Sequence, residues 1–266
     1  MKAERRKSKI SLLHDNVPRR GIYLLPNLIT SAGLFCGIFS IVQTMQGAYA
    51  NAALAILAAH IFDSLDGRVA RMTNSTSRFG TEYDSLCDLV SFGVAPGVLI
   101  YRWALVPWGV WGWSAIGLYV ICSAIRLARF NILIGRIDSG YFMGLPVPGS
   151  ATMLASVVLM YRYVGRSGLP PKQIALLLLT YALAFLMVSA IKYPSFKHLH
   201  LQSRQPPSTF FLAVLLLSVA VAAYPLFIFS VISIYVLSGP VMAVREWWRP
   251  GEVSGLPPPE EEEEHG

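Results

Sequence analysis

Long apolar stretches recur along the whole chain, and this repetition constrains the fold more than any other feature. A membrane-crossing helix needs about 20 mostly apolar residues. Only 14% of the residues are charged, against about 25% in soluble proteins. The sequence therefore excludes a soluble enzyme and predicts an all-α, polytopic membrane helix bundle of about eight transmembrane helices, at residues 22–45, 48–71, 84–106, 108–133, 145–164, 171–191, 208–224 and 226–244.

Basic residues are concentrated on one side of this predicted topology. The net charge is +7, and 18 of the 22 Lys and Arg fall on the side of the two termini. The positive-inside rule then predicts a multi-pass protein of the inner (cytoplasmic) membrane with both termini in the cytoplasm. Topology and anionic lipid head groups account for the positive charge, so the lipid bilayer is an expected partner and nucleic acid is not.

Composition divides the chain into three segments. Residues 1–20 form a basic cytoplasmic segment, residues 21–246 a transmembrane domain, and residues 247–266 an acidic tail that is predicted to be disordered. The three cysteines lie apart in apolar runs, which fits neither a disulfide framework nor a zinc site.

Acidic residues cluster between positions 63 and 88. Asp63 and Asp66 are three residues apart, and Asp84 and Asp88 are four apart, so each pair lies on one face of its helix. A short polar loop at 72–79 separates the two pairs. Ionisable groups in or beside a membrane span face a polar cavity or a partner. The four carboxylates are therefore predicted to converge near the cytoplasmic membrane surface.

The chemistry of this cluster points to phosphate transfer. Carboxylates without Cys or His favour Mg²⁺ or Mn²⁺ over zinc, and four of them suit two ions that could together bind a pyrophosphate. Arg71 can neutralise phosphate charge, and the small residues at 67, 70 and 80 let a ligand approach the helices. One carboxylate could accept a proton from an incoming hydroxyl. A cation-coupled transporter is the alternative from another class, and its carboxylates should lie near the membrane midplane.

The residues Asp63, Asp66, Gly67, Ala70, Arg71, Gly80, Asp84 and Asp88 match every fixed position of the pattern D-x-x-D-G-x-x-A-R-(x8)-G-x-x-x-D-x-x-x-D. In this the chain resembles the CDP-alcohol phosphotransferase family. The resemblance implies that Asp63, Asp66 and Asp84 ligate two magnesium or manganese ions, and that Asp88 helps to hold one ion and deprotonates the acceptor alcohol. It also implies that CDP-diacylglycerol is bound by Asn27, Thr30, Gly67, Ala70, Arg71, Ser77 and Gly80.

Three further segments, at 20–30, 123–131 and 142–148, resemble the phosphatidylserine-forming branch of that family. This implies L-serine as the acceptor, with phosphatidylserine and CMP as products. Arg126 and Arg129 are the candidates for binding the serine carboxylate, with Lys192 as a third. Glycerol 3-phosphate or inositol phosphate as acceptor remains an alternative. The resemblance also implies a homodimer, for which the sequence offers no feature of its own.

Overall fold

A computed structural model describes residues 24–73, 75, 77–133, 141–165, 171–194 and 223–248, and within them the protein is predominantly helical. This confirms the predicted helical class. The predicted basic segment at 1–20 and nearly all of the acidic tail lie outside the described residues. The helices are α1 (Leu24–Met45), α2 (Tyr49–Met72), α3 (Arg78–Asp88), α4 (Ala95–Ile100), α5 (Gly109–Leu133), α6 (Val147–Tyr163), α7 (Pro171–Val188) and α8 (Tyr224–Trp248).

Three described helical stretches are long and apolar enough, by length and composition, to cross a membrane: Leu24–Met45, Arg78–Ile132 and Tyr224–Arg245. Seven of the eight predicted spans have a helical counterpart in the structure. The remaining predicted span, at 208–224, lies almost entirely outside the described residues, so a total of eight stays a prediction.

The stretch from α3 to α5 turns back on itself. After Asp88 the helix widens into a π-helix (Leu89–Val94), continues through α4 and a second π-helix (Tyr101–Leu105), and ends in a 3₁₀ turn. Gly109 then adopts a φ of +51°, which reverses the chain. A Cβ built on Gly97 would lie 3.0 Å from Ile116 Cγ2, so α4 and α5 pack closely as antiparallel neighbours.

Small residues let α1 approach the rest of the bundle. A Cβ on Gly37 would lie 2.5 Å from Ser91 Oγ and 2.8 Å from Ser91 Cα, so only glycine fits where α1 crosses the first π-helix. The Ser91 hydroxyl donates to the carbonyl of Gly33 at 3.2 Å. In the absence of a hydrophobic force between helices in lipid, such close packing and hydrogen bonding hold transmembrane helices together.

A short β-ribbon joins the start of α6 to the chain after α7, which the all-α prediction did not include. Strand β1 (Tyr141–Met143) pairs antiparallel with β2 (Lys192–Pro194), and Phe142 lies opposite Tyr193. The buried ring of Tyr193 occupies the space above Gly239 of α8, where any Cβ would overlap it. Burial raises the pKa of Tyr193 to about 12, so its hydroxyl keeps the proton that it donates to the Val236 carbonyl at 3.2 Å.

Candidate active site

The predicted carboxylates converge between α2 and α3. Asp63 and Asp66 come from α2 and Asp84 from α3, and one oxygen of each lies within 4.8 Å of the others. Asp88 follows one turn later on α3 and lines the same small cavity. The i, i+3 and i, i+4 spacings place each pair on one helix face. The structure therefore brings all four predicted residues to one site, with three of them in direct proximity.

A tight turn between α2 and α3 brings these two faces together. The predicted polar loop at 72–79 is shorter in the structure, because α3 already begins at Arg78. The Ser77 hydroxyl accepts a hydrogen bond from the backbone N–H of Gly80 at 3.0 Å and so caps the helix. A serine cap satisfies a donor that the first helical turn would otherwise leave unpaired. Ser77, predicted to contact the nucleotide, thus also fixes where the carboxylate-bearing helix starts.

Helix α1 forms the third wall of the site. The hydroxyl of Thr30 donates a hydrogen bond to Asp66 Oδ2 at 2.7 Å, and both residues are buried. One residue further along, the Ser31 hydroxyl lies 2.8 Å from the hydroxyl of Tyr83 on α3. Thr30 was predicted to bind CDP-diacylglycerol. The structure adds a hydrogen bond through which Thr30 orients Asp66, one of the carboxylates predicted to bind a metal ion.

The donor set fits divalent cations. Within the described residues, the three clustered ligands are all carboxylates, which suit Mg²⁺ and Mn²⁺. Asp84 Oδ1 is buried and has no hydrogen-bond partner among the described residues. A buried acceptor without a donor is costly, and a bound cation would satisfy it. The site is therefore suited to hold a divalent cation.

The other residues predicted to bind CDP-diacylglycerol lie on α1, on the end of α2 and at the start of α3. The exposed side chain of Arg71 reaches back over Gly67, where a built Cβ would lie 3.5 Å from the nearest guanidinium nitrogen. A Cβ on Gly80 would lie 3.1 Å from Ser77 Oγ and 3.5 Å from Asn27 Oδ1. Asn27 of α1 and the start of α3 are thus neighbours. Ala70 is half-buried one residue before Arg71.

The two arginines predicted to bind serine differ in their surroundings. Arg126 is half-buried, and one terminal nitrogen donates to the Gly144 carbonyl at 3.4 Å. Its Nε is buried without a hydrogen-bond partner among the described residues. Arg129 is exposed, and its guanidinium lies 3.9 Å from Met143 Sδ. Arg126 therefore has an unused buried donor, whereas Arg129 does not. The side chain of Lys192 lies outside the described residues.

Sequence reasoning missed the polar contacts that hold the π-helix after Asp88. The fully buried Tyr119 donates to the Phe92 carbonyl at 3.1 Å, and its hydroxyl lies 2.9 Å from Ser150 Oγ on α6. In a π-helix the backbone hydrogen bonds shift by one residue, so a side-chain hydroxyl can donate a hydrogen bond to a backbone carbonyl. A tyrosine in the middle of an apolar span was the available signal, since its hydroxyl needs a partner in hydrocarbon.

Comparison with known proteins identifies a family model and relatives whose sequences match the part of the chain that contains the carboxylate site. The family model described as CDP-alcohol phosphatidyltransferase matches residues 23–191. A Helicobacter pylori protein named CDP-diacylglycerol–serine O-phosphatidyltransferase is 41% identical over 182 residues, which cover 68% of this chain and 76% of the relative. A Bacillus subtilis protein of the same name is 36% identical over 173 residues, covering 65% and 91%. The archaetidylserine synthase of Methanothermobacter thermautotrophicus is 37% identical over 172 residues, covering 64% and 69%.

Proposed function

The chain belongs to the CDP-alcohol phosphatidyltransferase family, and we propose that it transfers the phosphatidyl group of CDP-diacylglycerol to the hydroxyl of L-serine. The products are phosphatidylserine and CMP. The observation that carries this proposal is the convergence of Asp63, Asp66 and Asp84 within 4.8 Å on two adjacent membrane helices. The shared name of the relatives at 36–42% identity supports serine as the acceptor.

The reaction exchanges one P–O bond for another. The serine oxygen forms a bond to the phosphorus that carries diacylglycerol, and the bond from that phosphorus to the bridging oxygen of the pyrophosphate breaks. The bridging oxygen and its electron pair leave with CMP. The serine proton passes to Asp88, which lines the carboxylate cavity, and from there to solvent. General-base assistance of this kind contributes about 10²–10⁴-fold to a rate.

Asp88 and the other three carboxylates also prepare the site for this exchange. We propose that Asp63, Asp66, Asp84 and Asp88 hold two divalent cations, Mg²⁺ or Mn²⁺. When bound, such ions supply the positive charge that polarises the phosphorus and stabilises the leaving phosphate. Thr30 orients Asp66 through its 2.7 Å hydrogen bond.

The other residues predicted to bind CDP-diacylglycerol would receive the nucleotide and the pyrophosphate. Arg71 is exposed near the end of α2 and would offer a guanidinium fork to phosphate oxygens. Asn27, Gly67, Ala70, Ser77 and Gly80 complete the proposed CDP-diacylglycerol surface, because their small or polar side chains let the ligand approach the backbone of three helices.

We place the serine carboxylate on Arg126, with Arg129 as a weaker contributor at the rim. The buried, unpartnered Nε of Arg126 supports this order. In Arg126→Gln the KM for serine should rise about tenfold, as expected for a lost charge-assisted hydrogen bond of about 1.4 kcal/mol. Arg129→Gln should raise it less. Ethanolamine, which lacks the carboxylate, should be used equally poorly by the wild type and Arg126→Gln. An unchanged serine KM in Arg126→Gln would contradict the assignment.

Acceptor identity is tested with the purified full-length protein in detergent, with CMP release as the readout. Serine should release CMP in the presence of Mg²⁺ or Mn²⁺, and chelation should abolish the release. Asp88→Asn should lower the rate by at least about 10²-fold. The matched control is Glu82→Gln, an exposed acidic residue on the same helix, and it should behave as the wild type. CMP release with glycerol 3-phosphate or inositol phosphate but not with serine would refute the proposal.

Orientation and assembly complete the proposal. We place the active site and both termini on the cytoplasmic side of the inner membrane, because most Lys and Arg fall on that side of the predicted topology. Single-cysteine labelling at Met72, which is exposed beside the α2–α3 turn, should succeed only with a reagent that reaches the cytoplasm.

A homodimer stays a prediction, and the mass of the purified protein in detergent tests it.

A further inference from the structure

A second cavity lies at the end of the bundle opposite the carboxylates. Its volume is about 260 Å³, and it opens between the α1–α2 turn and the carboxyl end of α6. The carboxylate site, in contrast, lies toward the α2–α3 turn, at the other end of α2. The residues that define this outer cavity are Gly47, Tyr49, Trp103, Tyr161, Arg162 and Gly165.

Aromatic side chains build one wall of the outer cavity. The rings of Trp103 and Tyr161 meet edge to face, with centroids 5.7 Å apart and an interplanar angle of 78°. Trp and Tyr are enriched at membrane interfaces, where one part of the ring system is apolar and another is hydrated. At the rim, Gly47 and Gly165 have positive φ, and a Cβ on either would meet no atom within 4 Å. The mouth of the cavity is therefore open.

The charge of the outer cavity is positive. Arg162 lines it, and among the described residues that line it none is acidic. Arg162 makes no ion pair within the part of the chain that the structure describes. An arginine next to an apolar wall offers a planar fork of donors that matches phosphate oxygens. Among the described lining residues, a ligand with an ammonium group would meet no carboxylate and would face the guanidinium instead.

Apolar surface continues from the mouth of the cavity along the outside of the bundle. Met45, next to the α1–α2 turn, and Val164, at the end of α6, are 70% and 49% exposed. A ligand seated at Arg162 could thus extend its apolar part along these side chains into the hydrocarbon layer. A lipid has this combination of phosphate and apolar chains, and a free phosphate does not.

We propose that the outer cavity binds the head group of a phospholipid that carries a phosphate and no amine, such as phosphatidylglycerol. The phosphodiester oxygens accept hydrogen bonds from Arg162, the head group lies against Trp103 and Tyr161, and the acyl chains follow the exposed apolar side chains. This site is separate from the carboxylates and does not rest on the proposed activity.

The test is native mass spectrometry of the full-length protein with phosphatidylglycerol, phosphatidylethanolamine or inorganic phosphate. The wild type should retain phosphatidylglycerol in preference to the other two. Arg162→Gln should bind it about tenfold more weakly, which corresponds to about 1.4 kcal/mol. Arg102→Gln is the matched control, because Arg102 is an exposed cation one residue before Trp103 that does not line the cavity, and it should keep wild-type binding.

The two variants and the three ligands distinguish a defined lipid site from its alternatives. Equal losses in Arg162→Gln and Arg102→Gln would show attraction to overall surface charge and would overturn a defined site. Equal binding of phosphatidylethanolamine, or of inorganic phosphate, would overturn the chosen ligand. Because Arg162 is exposed and remote from the carboxylates, CMP release by Arg162→Gln in detergent should equal that of the wild type, which verifies that the variant is folded.

Discussion

Replacing Thr30 with valine would distinguish two roles of its hydroxyl, which are to orient Asp66 in the proposed metal site and to contact the substrate. Valine keeps the branched shape of threonine and removes the hydroxyl that donates to Asp66 Oδ2 at 2.7 Å. Thr30 and Asp66 are only 7% and 5% exposed, so water cannot readily replace the lost donor. A hydrogen bond to a charged group contributes about 1.5–3 kcal/mol, which is about a tenfold to hundredfold change in an equilibrium. Loss of a hydrogen bond behind a metal ligand has effects of the same size.

The assay is CMP release as a function of Mn²⁺ concentration at saturating CDP-diacylglycerol. Thr30→Val should shift the Mn²⁺ requirement upward by about 10–100-fold, with nearly normal activity when the metal saturates. Thr44→Val is the matched control. It makes the same chemical change on the same helix at a fully buried hydroxyl that has no hydrogen-bond partner within the described residues. It should leave the Mn²⁺ requirement unchanged.

The outcome distinguishes two roles for Thr30. If its hydroxyl only contacted the nucleotide, Thr30→Val would raise the KM for CDP-diacylglycerol and leave the Mn²⁺ requirement as in the wild type. That result would refute the inference that α1 orients Asp66 for metal binding. The same would follow if Thr44→Val and Thr30→Val shifted the Mn²⁺ curve equally, since the effect would then come from general loosening of α1.

Three further substitutions test the packing around the site by thermal unfolding in detergent. Gly37→Ala should destabilise the protein by about 1–3 kcal/mol, because its Cβ would lie 2.5 Å from Ser91 Oγ, and a wild-type midpoint would contradict the close crossing. Gly144→Ala should lower the free energy of unfolding by a similar amount, since φ at Gly144 is +76° and the Cβ would lie 2.5 Å from the Met187 carbonyl oxygen. An unchanged unfolding midpoint would contradict this backbone conformation. Tyr119→Phe should cost about 1–3 kcal/mol, because it removes the buried hydroxyl that donates to the Phe92 carbonyl, and a stabilised variant would disprove the role of that hydroxyl.

The carboxylate site was predictable from two local signals, the helical spacing of the aspartates and the rule that ionisable groups beside a membrane span face a cavity or a partner. Once residues 63–88 form two helices joined by a short turn, the spacing of the four aspartates leaves one face on each helix to meet the other. The place of α1 beside the site was indicated only by the resemblance to the family. Nothing in the spacing of Thr30 relates it to Asp66, which lies 36 positions away. Long-range contacts of this kind depend on how helices pack, which hydropathy does not encode.

Other features depended on packing that the sequence pattern hides. The predicted third span began at residue 84, but the helix begins at Arg78, directly after a serine cap at position 77 and more than one turn earlier. The two strands of the β-ribbon are about 50 positions apart in the sequence, and each is only three residues long. An alternation of apolar and polar residues was therefore too short to detect. Arg126 and Arg129 share one helix face by spacing, and only burial distinguishes them.

The position of α1 also determines how substrate reaches the protein. One face of this helix lines the carboxylate cavity through Thr30 and Gly33, while Leu28 and Phe35 on other faces are 64% and 70% exposed on the apolar exterior. We therefore expect a lipid donor to reach this cavity past α1, by lateral diffusion in two dimensions and without leaving the bilayer. Its effective concentration is a mole fraction in the membrane. Diluting it with inert lipid should slow the enzyme even when the bulk amounts of enzyme and substrate are unchanged.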